Sequence, residues 1–147
     1  MKKLFIAALI VVVTGTSAFA VDKNIANFKV QSSFEAKFYN AENVNWTVKE
    51  NYIKASFTLQ GEQVEAFYNP TDGELIGVSR KVEFNKLPLS AVQKIKKDYA
   101  AYKVTDSIEF DGDNGKAYYV SLEDGARKKI LLVSLYGNVS VYKEVRK

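Results

Sequence analysis

The feature that most constrains the fold is a series of hydrophobic patterns that the chain contains twice. An amphipathic helical pattern is followed by four segments of alternating apolar and polar residues, and the series then begins again. Phe34 and Phe38 in the first helical pattern correspond to Ile95 and Tyr99 in the second, at an offset of 61 residues. Periods of 3.6 and 2 residues are typical of helices and half-buried strands. The sequence therefore predicts two tandem helix-plus-four-strand repeats, with a single irregular α+β sheet as the alternative.

In the first repeat, the spacing of Val30, Phe34 and Phe38 predicts one apolar helix face. Ser32 followed by Glu35 has the spacing of a capping box, which places the helix start near Ser32. Turn residues then separate four predicted strand segments: VNWTVKE, YIKASFTL, QVEAFY and ELIGVSRKVEF.

In the second repeat, Leu87-Pro88 precedes the helical segment SAVQKIKKDYAAY, because proline is tolerated in the first turn of a helix. The four strand segments that follow are VTDSIEF, KAYYVSL, RKKILLVSLY and VSVYKEV. Short hairpins and only two amphipathic helices predict an antiparallel sheet with both helices on one face. The other face of this two-layer α+β fold is expected to be open.

The start of the chain has the three parts of a secretory signal. Lys2 and Lys3 precede an apolar run of ten residues, and Ala18 and Ala20 form a small-x-small cleavage pattern. A membrane anchor is the alternative, but a spanning helix needs about 20 apolar residues. We therefore expect cleavage near Ala20, a periplasmic or secreted protein, and no stable membrane insertion afterwards. The predicted organisation is a signal peptide and two repeats, at residues 1–20, 21–84 and 85–147.

The composition argues against most kinds of catalysis. The chain has no His and no Cys, which removes the commonest general base, the thiol nucleophile, disulfides and zinc ligands other than oxygen. The segment Asp111–Gly115 resembles a calcium loop, but Gly115 and Leu122 stand where an EF-hand needs ligands, so we interpret it as a hairpin turn. We therefore predict that the chain is not an enzyme and that it has no catalytic residue, metal or cofactor. A carboxylate-dependent hydrolase is the less favoured alternative.

The charge of the chain does not favour nucleic acid as a partner. The formal net charge is +4, and it falls to +2 when Lys2 and Lys3 are removed with the predicted signal. Nucleic-acid binding normally requires a concentrated basic stripe. We therefore predict that the partner is a protein, a peptide or a cell-envelope component, and not a nucleic acid.

Three segments resemble a known family: FEAKFYNAENVNW, YIKASFTLQGEQVEAFYNPTDGELIGVSRKV and LPLSAVQKIKKDYAAYKV. They are similar to PepSY-like exported proteins of Bacteroidetes, which are grouped with the β-lactamase-inhibitor-protein (BLIP) fold. The most specific pieces are Ala41 and Trp46, the turn Tyr68–Gly73, and Leu87-Pro88. The resemblance implies a tandem two-layer module, and most members have no established activity. The name-giving inhibitor binds an enzyme through the sheet face opposite its helices, but no motif aligns its contact residues with this chain.

Four aromatic residues have the strand parity of the open face: Tyr52, Phe67, Tyr119 and Tyr142. Tyrosine is enriched at protein interfaces, because its ring is apolar and its hydroxyl can form a hydrogen bond. We predict that the chain is a binding module that contacts a partner through this open face. Binding of this kind could also inhibit the partner. The alternative is ordinary cross-strand aromatic pairing, which needs no partner. In that case the chain is a structural or stress-related envelope protein without a discrete ligand.

Overall fold

The structure is a computed structural model that describes residues 27–146. The first repeat comprises helix α1 (Phe28–Lys37) and strands β1 (Glu42–Val48), β2 (Ile53–Leu59), β3 (Glu62–Tyr68) and β4 (Leu75–Lys81). A 3₁₀ turn (Phe84–Lys86) leads to the second repeat, which comprises helix α2 (Leu89–Asp98) and strands β5 (Lys103–Gly112), β6 (Gly115–Glu123), β7 (Arg127–Ser134) and β8 (Val139–Arg146). The predicted signal peptide and its cleavage site at Ala20 lie outside the described residues. Neither α1 nor α2 is long and apolar enough to cross a membrane.

The eight strands form one antiparallel sheet in chain order, from β1 at one edge to β8 at the other. Strand β4 pairs with β5, so the two groups of four strands make a continuous layer. Because neighbours in the chain are also neighbours in the sheet, every second connection lies at the same end. We call the end that holds the β1–β2, β3–β4, β5–β6 and β7–β8 turns the front end.

Both helices pack on the same face of the sheet, as predicted. Helix α1 buries Val30 and Phe34 in a core with residues of β2 and β3, and α2 forms a second core with residues of β6 and β7. Cross-strand partners point to the same side of a sheet. Ala66 of the first core is paired with Val78, Val78 with Asp111, and Asp111 with Lys116. Lys116 and Val120 of the second core are an even number of residues apart on β6, so their side chains point to the same side of the sheet. The α+β class and the single helical layer are thus confirmed.

The two repeats share their order of elements and one packing contact between a turn and a helix. Each helix has ten residues, and the two helices are offset by 61 residues. In each repeat a turn glycine with positive φ, Gly73 or Gly137, packs against the second residue of the helix. A Cβ atom on Gly73 would lie 2.8 Å from Lys29 Cβ, and one on Gly137 would overlap Ser90 Oγ. The boundary between residues 84 and 85 stays a prediction.

Helix α1 begins earlier than the capping-box pattern indicates. The predicted start near Ser32 was wrong, because the helix starts at Phe28 with Asn27 as its N-cap. The Asn27 Oδ1 atom accepts a hydrogen bond from the Val30 N–H at 3.0 Å, and its Nδ2 donates to Pro70 O at 2.6 Å. Asparagine is among the strongest N-cap residues. The additional bond to the β3–β4 turn is a tertiary contact that the local pattern does not contain.

A charged cluster separates the two cores on the helical face. The buried carboxylate of Glu109 accepts hydrogen bonds from Arg80 Nε and Lys116 Nζ, both at 3.1 Å. Burial alone would raise the pKa of Glu109, but the hydrogen bonds and positive charges of Lys116 and Arg80 outweigh it and lower the pKa. Polar contacts therefore join the repeats on this face.

One hydroxyl of the first core has no hydrogen-bond partner among the described residues. Tyr68 is fully buried beside Trp46, and burial raises the pKa of its hydroxyl far above the ordinary value. An unpaired buried polar group costs stability. We therefore expect Tyr68→Phe, which keeps the ring, to increase the free energy of unfolding by about 1 kcal/mol in urea titrations. The half-buried Tyr118→Phe serves as the control, and a loss of stability in Tyr68→Phe would show that this hydroxyl is hydrogen-bonded.

Candidate functional site

A continuous row of aromatic rings crosses the sheet face opposite the helices. The aromatic row consists of Tyr52, Phe67, Phe110, Tyr119 and Tyr142. Successive ring centroids are 5.8, 6.2, 6.4 and 5.3 Å apart, within the range in which aromatic pairs attract. The row extends from Tyr52, just before β2, to Tyr142 on β8, so it joins the two repeats through apolar contacts.

The structure places all four sequence-predicted residues in the aromatic row. Three of them are nearly inaccessible, with exposed fractions of 5% for Tyr52, 2% for Phe67 and 5% for Tyr119. Tyr142 is half-buried. Burial, with a smaller contribution from Tyr142, raises the pKa of Tyr119 to about 12. Because the rings cover one another, they present little area to a partner, and the role of all four in binding stays a prediction.

Phe110 lies at the centre of the row and was not among the predicted residues. Its ring covers the backbone of two glycines, Gly77 on β4 and Gly112 on β5, which are cross-strand partners. A Cβ atom would lie 2.9 Å from Phe110 Cε1 if built on Gly77, and 2.7 Å from it if built on Gly112. A glycine inside a strand often marks such a close approach. Gly77 was therefore the signal in the sequence that could have indicated this ring.

A cleft of about 810 Å³ opens at the front end of the same face. Its floor is largely apolar and contains Ile76, Phe110, Ala117, Tyr119, Leu132 and Tyr142. Its walls are three front turns, at residues 50–51, 69–74 and 112–115. Tyr119 and Tyr142 thus line the cleft, whereas Tyr52 and Phe67 do not. The volume is within the range of ligand sites in proteins.

The β3–β4 turn forms a wall that its own side chains hold in place. Asn69 Nδ2 donates to Asp72 Oδ2 at 3.0 Å, and Asn69 Oδ1 accepts from the Thr71 N–H at 2.9 Å. Asp72 Oδ1 accepts from the Glu74 N–H at 2.8 Å. The predicted turn at Asp72 and Gly73 is confirmed. Such a wall is formed before any ligand arrives, which lowers the entropic cost of binding.

A β-bulge positions the Tyr142 ring at the other side of the cleft. Leu131 pairs with Val141 and Ile130 pairs with Lys143, so Tyr142 is the extra residue of β8. Bulges redirect a side chain and are frequent beside functional sites. Here the ring of Tyr142 lies 5.3 Å from that of Tyr119.

The rim of the cleft is polar and acidic. It carries Glu50, Glu74 and Asp113 together with Asn51, Asn69 and Asn114, and no Lys or Arg is among the described lining residues. The nearby Lys54, a cross-strand partner of Phe67, already forms a salt bridge of 2.7 Å with Glu65. The β5–β6 turn is a hairpin, as interpreted from the sequence, with Gly112 paired to Gly115. Among residues 27–146, no group of three or more acidic side chains could hold a metal ion.

Comparisons with known proteins show the fold of the chain. No protein-family model matches the sequence, and no curated protein matches it significantly. A BLIP-like protein from Bacteroides fragilis is 18% identical, with a TM-score of 0.67 over 82% of this chain and 85% of that chain. A candidate periplasmic protein from Bacteroides eggerthii is 14% identical, with a TM-score of 0.70 over 82% and 88% of the two chains. A DUF2874 family protein from Bacteroides uniformis is also 14% identical, with a TM-score of 0.70 over 82% and 89%. The predicted BLIP-like architecture is confirmed, whereas these matches do not bear on the PepSY name.

Proposed function

We propose that the chain is an exported, non-catalytic binding module that holds a segment of a protein or another envelope component in the front-end cleft. The observation that carries this proposal is the cleft itself, where an apolar floor meets a polar rim. Binding sites combine these features, because the floor supplies apolar burial and the rim supplies orientation. Within the cleft, the half-buried Tyr142 ring makes most of the aromatic contact with the partner, and Tyr119 adds the small part of its surface that lines the cleft. Tyr52 and Phe67 support these rings from outside the cleft.

The side chains of the cleft suit binding better than catalysis. The sequence offers no His or Cys, so an acid–base device would depend on carboxylates. Glu50, Glu74 and Asp113 are all exposed to solvent, whereas catalytic carboxylates are typically held in a partly buried, water-excluding site. A hydrolase is therefore the less favoured function.

A second candidate function is a structural envelope protein without a discrete ligand. The close packing of the aromatic row favours it, because joining the two repeats is by itself a sufficient role for a buried row. Export supports both candidates equally. It is suggested by the signal-like first 20 residues and by the shared fold with a candidate periplasmic protein.

The proposal is tested by blocking the cleft with one large side chain. Ala117 lies half-buried on the floor, so Ala117→Arg introduces a side chain that fills the space above it. We expect the purified protein to retain a partner from envelope extract of the source organism, and Ala117→Arg to retain at least about tenfold less of it, since an obstructed site loses both floor and rim contacts. Quantitative mass spectrometry of the retained proteins measures the ratio.

The control carries the same added charge at the opposite end of the sheet. Ala126 is exposed in the β6–β7 turn, and Ala126→Arg is expected to retain the partner as the unaltered protein does. Tyr142→Ser provides a second cleft variant if the melting temperature of Ala117→Arg shows that it is unfolded. Equal retention by the cleft variants and the control would refute binding through this cleft and favour the structural candidate.

A further inference from the structure

The cleft also indicates which chemistry its occupant has. Resting on the proposed function, we infer that the occupant is an extended segment of a partner protein that carries arginine or lysine side chains between apolar ones. Three features of the cleft point to this class of ligand: the charge of its rim, the nature of its floor and its length across the sheet.

The rim has a negative charge that the rest of the protein does not share. The chain has a formal net charge of +4, yet three carboxylates and no described Lys or Arg line the cleft. The three come from different turns, so they converge only in the folded protein. Glu50 and Glu74 form no ion pair with a described residue, whereas Glu65 and Glu109 on the sheet are both paired. A cationic segment would neutralise the charges of Glu50 and Glu74, and an anionic one would be repelled.

The floor suits a side chain with an apolar stem. Ile76, Leu132 and Ala117 offer aliphatic surface a short distance from the acidic rim. Arginine and lysine bury their methylene stems on such surfaces and keep the charged group at a polar edge. The ring of Tyr142 adds a place for a cation–π contact.

A neutral glycan matches this floor less well. Sugar rings stack on exposed aromatic faces, but Phe110 and Tyr119 are both buried. The aromatic surface that remains at the floor is mainly that of the half-buried Tyr142. The aliphatic surface therefore dominates, which favours a peptide.

The extent of the cleft sets the length of the segment. Its lining extends from the β1–β2 turn to Tyr142 on β8, which corresponds to about six strand spacings or roughly 29 Å. An extended chain advances about 3.3–3.6 Å per residue, so about eight residues cover this distance. An octapeptide is thus the natural probe.

The test compares three fluorescein-labelled octapeptides, in which leucine alternates with arginine, glutamine or glutamate. Fluorescence polarisation with the purified protein at low salt is expected to show the arginine peptide bound at least about tenfold more tightly than the glutamine peptide, and the glutamate peptide more weakly still. Added NaCl should weaken binding of the arginine peptide and leave that of the glutamine peptide nearly unchanged.

Paired substitutions assign the effect to the cleft. Glu50→Gln with Glu74→Gln should reduce affinity for the arginine peptide about tenfold and leave the glutamine peptide unaffected. The matched control, Glu42→Gln with Glu83→Gln, removes the same charge at exposed positions outside the cleft lining and should change neither affinity.

Three outcomes would overturn the inference. They are no measurable binding of the arginine peptide, equal binding of the glutamine peptide, and displacement of the bound peptide by a neutral chito-oligosaccharide that binds more tightly. Each of these would leave the proposed function standing, provided that Ala117→Arg still lowers retention of the envelope partner at least about tenfold. These experiments therefore distinguish failure of the cationic-segment inference from failure of the proposed function.

Discussion

Phe110→Ala is expected to lower the free energy of unfolding by about 3–5 kcal/mol, the usual cost of removing a buried phenylalanine ring. Phe110 is 5% exposed, and its ring lies between Phe67 of the first repeat and Tyr119 of the second. The substitution thus creates a cavity where the repeats meet through apolar contacts. Since domains of this size are stable by about 5–15 kcal/mol, the variant should be close to unfolding under mild conditions.

Urea titrations followed by circular dichroism measure this effect. Phe28→Ala is the matched control, because Phe28 is 82% exposed and its removal should change stability by less than about 0.5 kcal/mol. A loss below about 1 kcal/mol in Phe110→Ala would show that the aromatic row is not what joins the repeats. The backbone pairing of β4 with β5 and the charged cluster around Glu109 would then be the principal connections.

The architecture could be predicted because it depends on strong local periods. The helical spacing of Phe34 and Phe38 recurs at Ile95 and Tyr99. An error of one or two residues at an element boundary does not change the architecture that this spacing predicts. The start of α1 depends instead on a bond between Asn27 and a turn more than forty residues away. Contacts of that kind decide where an element begins, and a local pattern does not contain them.

The face of each aromatic residue could be predicted, but its accessibility could not. Strand parity placed Tyr52 and Tyr119 opposite the helices, since parity needs only the period of two. Burial depends on which rings meet across the sheet, and that depends on the register of several strands. The rim of the cleft was missed for a related reason. Its carboxylates stand on three turns that only the meander order of the sheet brings to one end.

Gly77→Ala is expected to destabilise the protein by about 2–3 kcal/mol, although alanine is ordinarily no worse than glycine inside a strand. The added methyl group would overlap the Phe110 ring and lie 2.8 Å from Asp111 O. Backbone movement offers little relief, because Gly77 is paired with Phe67 on one side and with Gly112 on the other. The strain must therefore be taken up by the ring, which is held in the aromatic row.

A double-mutant cycle identifies the ring as the cause. In a Phe110→Leu background the smaller side chain leaves room for the methyl group, so Gly77→Ala should cost at least about 1 kcal/mol less than it does in the unaltered protein. Gly125→Ala is the control, since a Cβ atom there would meet nothing within 4 Å, and its effect should be neutral or slightly stabilising. Strictly additive losses for Gly77→Ala and Phe110→Leu would contradict this account. Gly77 would then be required by the close approach of the backbone at Asp111 O, and the Phe110 ring would have no part in selecting that residue.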